Sequence, residues 1–333
     1  MTARKTTVVL IVLFFLGYLF LLHCSPGEDG KYWLGWIVGA IGVLLLLDLF
    51  SQLFRLIQNF LRDKLVVGIG NLLTLLGLVI MVIGATYSYV YNFEGHFRLT
   101  EGESILDVDK SYQGLRKGFI RPNPEYRWAI QLEKVSLRYS WDGNILETAA
   151  DLILYDQTEN KLFAGTTGFG HPLEVGELQI HPTKLGVSPG LDLRDSEGNL
   201  IWRGAPKFDV LDKQGQKTDL FQPADLDLKY TVSFAPAARY VRGRIVNSSL
   251  TPTNPVFVFT SPDGSVSKPV PVGGGPVDLG GYSVEIPVFR YWVEFEVQSR
   301  AGNTLLSIGL AIIILGILFT ILPASKSTRE VPK

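Results

Sequence analysis

Cysteine is almost absent: Cys24 is the only one in 333 residues. A single thiol cannot close an intrachain disulfide, so thiol–disulfide exchange by this chain alone is excluded. Covalent haem of the usual kind needs the two cysteines of C-x-x-C-H and is excluded with it. Histidine is scarce too, at four, and no Cys/His cluster has zinc-ligand spacing. Nor is there an excess of charge of one sign. Lys and Arg number 31 against 32 Asp and Glu, which leaves no field to gather nucleic acid. There is no G-x-S-x-G elbow, no H-E-x-x-H and no phosphate-cradling glycine loop. The run Gly273–Gly275 precedes Pro276 between strand-like segments and reads as a turn. The expectation is a protein that is not an enzyme, with no catalytic residue and no metal ligand set.

What the chain does have is long apolar runs: Thr6–His23, Tyr32–Leu49, Leu65–Tyr91 and Thr304–Leu322. Each approaches the roughly 20 helical residues that cross a hydrocarbon core about 30 Å thick. Only Asp48 puts a carboxylate in them. This divides the chain into three crossings in 1–91, a water-soluble block in 92–303, and a fourth crossing with a tail in 304–333. Arg4, Lys5, Arg55, Arg62, Lys64, Lys326, Arg329 and Lys333 flank the runs on one side, and positive residues in short loops stay cytoplasmic. Both termini are therefore expected in the cytoplasm (or stroma), with the block in a periplasm, an external space or a lumen. The first run ends in Leu22-His23, where a signal peptidase needs small residues, so it is read as a retained helix.

Segment 51–64 alternates Leu53, Phe54, Leu56, Ile57, Phe60 and Leu61 with polar residues at helical spacing. It reads as an amphipathic helix along the membrane interface. Glycines recur at sevens, Gly70, Gly77 and Gly84 in the third run and Gly309 and Gly316 in the fourth, while Gly35 and Gly39 form G-x-x-x-G in the second. Seven residues is nearly two turns, so each set is a smooth stripe on one helix face. Such stripes let helices approach closely in lipid, within this chain or against another membrane protein. Deep ionisable chains of the kind used by transporters are missing.

After Phe93 the period changes to two. Trp128, Ile130 and Leu132 alternate with polar or small residues, then Val135, Leu137 and Tyr139 resume after a one-residue slip, the mark of a bulge. Further short Val/Ile/Tyr/Phe runs are separated by turns such as Trp141–Asn144, Asp195–Asn199 and Ser261–Gly264. The fold class expected is membrane α plus all-β: four transmembrane helices with a β-sandwich or barrel-like domain between helices three and four.

His171 and His181 each precede a proline and read as loop or strand-end residues. His23 and His96 both fall at the outer boundary of the crossings, where two imidazoles could ligate a haem iron axially. Interfacial histidines more often hydrogen-bond to water or backbone, so the purified chain is expected to lack stoichiometric haem.

Three stretches carry a family resemblance. Gly84-Ala85 leads into Phe93-Glu-Gly-His-Phe-Arg-Leu-Thr-Glu-Gly-Glu103; Ala150–Asp156 is followed by Gly165 and Gly170-His-Pro-Leu-Glu-Val-Gly176; Leu191–Gly198 comes next. With the helix order, they make the chain similar to the ResB-like (CcsB) proteins of cytochrome c biogenesis. Asn71 stands where that family often has a histidine, and Ser299–Gly302 where it often has Asp-Pro-Gly. The resemblance implies a non-enzymatic membrane scaffold in a bacterial inner or thylakoid membrane. Its implied partners are a CcsA/ResC-type multi-helix protein, haem, apocytochrome c and membrane lipids, with no nucleic acid. It implies no cofactor in this chain alone; any b-type haem would be shared with a partner. The alternative is a structural subunit of a respiratory or electron-transfer complex, without a cofactor of its own.

Overall fold

The computed structural model describes residues 9–14, 16–18, 28–62, 67–118, 128–156, 158–176, 178–212, 216–224, 226, 228–242, 244–264, 267–299 and 302–321. The chain divides into a helical unit (Met1–Phe93, Lys117–Arg121, Ser299–Lys333) and a β unit (Glu94–Arg116, Pro122–Gln298).

The helical unit holds α1 (Val9–Tyr18), α2 (Glu28–Arg62), α3 (Val67–Val90) and α4 (Asn303–Ile321). Three windows, Ile37–Arg55, Ile69–Val90 and Asn303–Thr320, are long and apolar enough to cross a membrane. The chain is a multi-pass membrane protein. The first expected crossing, Thr6–His23, lies partly outside the described residues, and its described part is the shorter helix α1. Residues 51–62, expected as a separate interfacial helix, continue α2 without a break. The reason is local. Leu, Phe, Gln and Arg fill this stretch without Gly or Pro, so nothing stops a helix at Ser51. Gln52 Nε2 also donates to Asp48 Oδ2 one turn back, at 3.0 Å. At 1.5 Å per residue, α2 runs about 50 Å, well beyond the roughly 30 Å of hydrocarbon.

Phe14, Tyr18, Val38, Leu45, Leu49, Val79, Val82 and Ala85 form the buried core of this unit. Gly42 leaves the space that Phe14 occupies: a β-carbon there would lie 2.7 Å from the ring. Thr74 and Thr320 donate their hydroxyls to Gly70 O (2.9 Å) and Gly316 O (2.8 Å), which satisfies both polar groups where water is lacking.

The β unit contains strands numbered along the chain. The largest sheet runs β3 (Gln113–Lys117), β1 (Phe93–Thr100), β17 (Ser283–Ser299), β8 (Leu178–Arg194), β7 (Leu173–Val175), with β16 (Val277–Asp278) on β17 and β9 (Leu200–Gly204) on β8. A second sheet runs β2 (Ser104–Leu106), β4 (Ala129–Tyr139), β5 (Ile145–Tyr155), β6 (Lys161–Gly168). A third runs β10 (Thr218–Phe221), β11 (Tyr230–Ala235), β14 (Val256–Thr260), β15 (Ser267–Pro271), and β12 (Ala238–Val241) pairs with β13 (Arg244–Asn247). Among the described residues no sheet closes into a barrel. The slip in β4 is a bulge: the register with β5 shifts between Leu132 and Lys134.

One core lies between the long strands and the third sheet. Val187, Leu191, Leu193, Val284 and Ile286 meet Val232, Phe234, Phe257 and Phe259, all buried. At the other end of β1 and β17, alternation puts Phe93, Phe97, Leu99, Val293, Phe295 and Val297 on a buried face. Glu94, His96 and Arg98 are only half-buried and lie on the opposite face of β1, as strand alternation requires. The polar face of this strand pair is therefore the place where chemistry-bearing side chains collect.

Candidate functional site

The β1–β17 register sets the site. The strands are antiparallel, with His96 opposite Glu296, Arg98 opposite Glu294 and Glu94 opposite Gln298. Directly opposed side chains on one face of such a pair lie close enough to interact. Glu94, His96 and Glu296 each bring one ligand-capable atom to within 4.8 Å of the others. From the next strand, β8, His181 Nε2 reaches Glu296 Oε2 at 3.2 Å. Gln298 Nε2 donates to the other oxygen of Glu296, also at 3.2 Å. The Nδ1 atom of His96 is buried and has no hydrogen-bond partner among the described residues. That is an expensive arrangement, since a buried unpaired polar atom costs about 1–3 kcal/mol. Arg116 stands 3.6 Å from Glu94, with both side chains partly exposed.

One rung along, the polar face is fully neutralised. Arg98 Nε donates to Glu294 Oε2 at 2.6 Å, and Lys184 Nζ lies 3.3 Å from Glu294 Oε1. Thr183 Oγ1 donates to Glu294 O at 3.2 Å. Burial pushes the Glu294 carboxyl upward, but the hydrogen bond and charge of Arg98, with Lys184 behind them, outweigh it and hold the carboxyl below its ordinary range. Arg98 also lies over the Trp292 ring, 5.0 Å from its centroid. The Glu294 rung is a structural ion-pair network, whereas among the described residues the Glu296 rung sets carboxylates against imidazoles, with Arg116 at its edge.

The histidines separate clearly. His96 sits on β1 in the cluster. His181 joins it, although its His-Pro context reads as an ordinary strand end. His171 is exposed, at an isolated bridge with Gly168. His23 lies outside the described residues. A b-type haem site would need a second imidazole facing His96. Among the described residues the ligand-capable neighbours of His96 are carboxylates, and His181 is engaged with one of them. The described residues do not make a bis-imidazole haem site.

The glycine stripes belong to packing. A β-carbon on Gly77 would lie 2.7 Å from Gly309 O, one on Gly316 2.7 Å from Gly70 O, and one on Gly84 2.9 Å from Leu305 Cβ. Gly302, two turns before Gly309, faces the Gly84 carbonyl and extends the stripe. Gly35 is buried and Gly39 exposed, and among the described residues Gly39 has nothing within 4 Å of a β-carbon.

Comparison with protein-family models decides the relationship: the ResB-like family matches over residues 67–326. The chain belongs to the ResB-like family. The match takes in α3, the β unit and α4, so the cluster and both glycine stripes fall inside it. No curated protein matches the chain. Among solved structures, a cytochrome c haem lyase CcmF matches at 12% identity with a TM-score of 0.32. That match covers 95% of this ResB-like chain and 34% of the lyase, and a likeness at that level carries no argument about fold or role. Membership in the ResB-like family implies a role in cytochrome c biogenesis.

Proposed function

We propose that this chain is a non-enzymatic scaffold subunit of a cytochrome c maturation system. It supports haem delivery and attachment on the outer membrane face together with a multi-helix partner of the CcsA/ResC type. The family match over residues 67–326 carries this reading. The β unit suits a scaffold because its charged face is organised by cross-strand ion pairs such as Arg98–Glu294 and Arg203–Asp192. The excess of Lys and Arg on the helix-flanking segments supports a β unit outside and both tails in the cytoplasm or stroma. Haem chemistry belongs to the partner in this reading.

Deletion of the gene in its host is the direct test. Cells should lose covalent haem on all c-type cytochromes while keeping b-type haem and apocytochrome, and the full chain should restore attachment. Normal holocytochrome c in the deletion strain would end the proposal. Purified alone, the chain should carry no stoichiometric haem; a red preparation bleached by His96→Ala would move haem handling into this chain. Protease added outside spheroplasts should digest 92–303 and spare the tails.

A further inference from the structure

We propose that Glu94, His96 and Glu296 form a binding site for a first-row divalent cation of the zinc class, with His181 as the residue that positions Glu296. The donor set is one imidazole nitrogen and two carboxylate oxygens. Calcium and magnesium take oxygen alone, and soft cuprous ions take sulfur, so a mixed nitrogen and oxygen set selects zinc and its neighbours. Two carboxylates also match the charge of a dication.

The geometry is close to what such an ion requires. The three ligand atoms lie within 4.8 Å of one another. Around a tetrahedral ion with bonds of about 2.0–2.1 Å they would stand roughly 3.4 Å apart. Small side-chain rotations close that gap, because His96 and Glu296 are fixed opposite each other by strand pairing. Glu94 lies 3.6 Å from a partly exposed Arg116, a loose pairing that lets its side chain rotate inward. The buried, unpartnered Nδ1 of His96 is the independent sign of a missing ligand. Either ring nitrogen can take the ion, and a bound cation would remove the local deficit or fix the tautomer that relieves it.

His181 supplies the second layer. Its Nε2 lies 3.2 Å from Glu296 Oε2, while Gln298 holds Oε1. Outer partners of this kind orient ligating carboxylates and are worth roughly 10–100-fold in metal affinity. Three protein donors leave one position for water. The site does not depend on the role in cytochrome maturation and stands or falls separately.

The test uses the full chain purified in detergent, stripped with a chelator, and titrated with Co²⁺ as a spectroscopic probe and Zn²⁺ as competitor. Stoichiometric Co²⁺ should bind with the intense visible bands of a four- or five-coordinate site, Zn²⁺ should displace it, and Zn²⁺ should raise the melting temperature. His96→Gln, Glu296→Gln and Glu94→Gln should each abolish the bands. His181→Gln should keep the stoichiometry and bands but bind roughly 10–100-fold more weakly. His171→Gln should bind like the wild type. Circular dichroism and metal-free melting identify a variant that fails to fold; Glu94→Gln, at a partly exposed position, then decides. The proposal is overturned if the wild type binds no stoichiometric Co²⁺, if Glu94→Gln keeps full affinity, or if His171→Gln loses as much as His96→Gln.

Discussion

A β-carbon on Gly77 would sit 2.7 Å from the carbonyl oxygen of Gly309, and one on Gly309 would sit 2.9 Å from that of Gly77. The relation is reciprocal, so α3 and α4 touch backbone to backbone. Gly77→Leu should force them apart, at a cost of about 1–3 kcal/mol or more. Unfolding in mixed micelles measures it. Gly39→Leu, on a helix face with nothing within 4 Å among the described residues, should leave the stability of the purified chain within about 0.5 kcal/mol of wild type.

Glu294 sets an acid limit on the β unit. Its folded pKa is depressed, so the stability it contributes is complete above the unfolded value, about 4.3. That contribution is lost as pH falls through the lower folded value. Melting temperature should be level near neutral pH and drop below about pH 4. Glu294→Gln should cost about 1.5–3 kcal/mol at neutral pH, since it removes charged hydrogen bonds from Arg98 and Lys184. Its acid limb should be shallower than that of wild type. Parallel acid limbs would show that other carboxylates dominate.

Much of the architecture was legible because it rests on period. The sevens of Gly70, Gly77 and Gly84 mark a packing face, and the slip after Leu132 marks the bulge. Which helix would meet the stripe was open, because sequence spacing describes one surface and not its partner. The cluster was harder. Glu94 and His96 show the alternation of one strand face, but Glu296 is brought opposite His96 only by the register of strands from the two ends of the β unit. His181 arrives from a third strand, and nothing in His-Pro announces that. Segment 51–64 reads as a helix of its own; its described part, 51–62, is helical and continues α2. Amphipathicity reports which faces are polar, and it does not report where a helix ends.

Turn chemistry divides in the same way. Asp195–Asn199 reads as a turn because Gly198 takes the positive φ, 86°. Asp156–Asn160 has the same closure, with Asp156 Oδ1 accepting from the backbone N–H groups of Thr158 and Asn160 at 2.8 Å each. Glu159 occupies the positive-φ position there, at 61°, so the glycine signal is missing. A side chain in that region costs about 1–2 kcal/mol, part of which glycine gives back in unfolded-state entropy. Glu159→Gly should therefore stabilise the protein by about 0.5–1 kcal/mol. Chemical denaturation checks it, and destabilisation would mean the side chain contributes more than its backbone costs.

Trp292 ties the two ends of the β unit's interior together. It is fully buried, and its Nε1–H donates to Phe208 O at 2.9 Å. Phe208 O also accepts from Val187 N–H at 3.1 Å, so losing the indole leaves the carbonyl with one partner. Trp292→Phe should cost about 1–3 kcal/mol through the lost hydrogen bond and the smaller ring. Gly186 lies against the same indole, and a β-carbon there would overlap it. Gly186→Ala should therefore cost a similar amount by overpacking. The two changes share one volume. The double variant should be less destabilised than the sum of the singles, with a coupling of about 0.5–3 kcal/mol. Rescue should be incomplete, because the β-carbon also meets Phe208 O, which the smaller ring does not move. Strict additivity in chemical denaturation would show that Gly186 is held by the carbonyl and not by the indole.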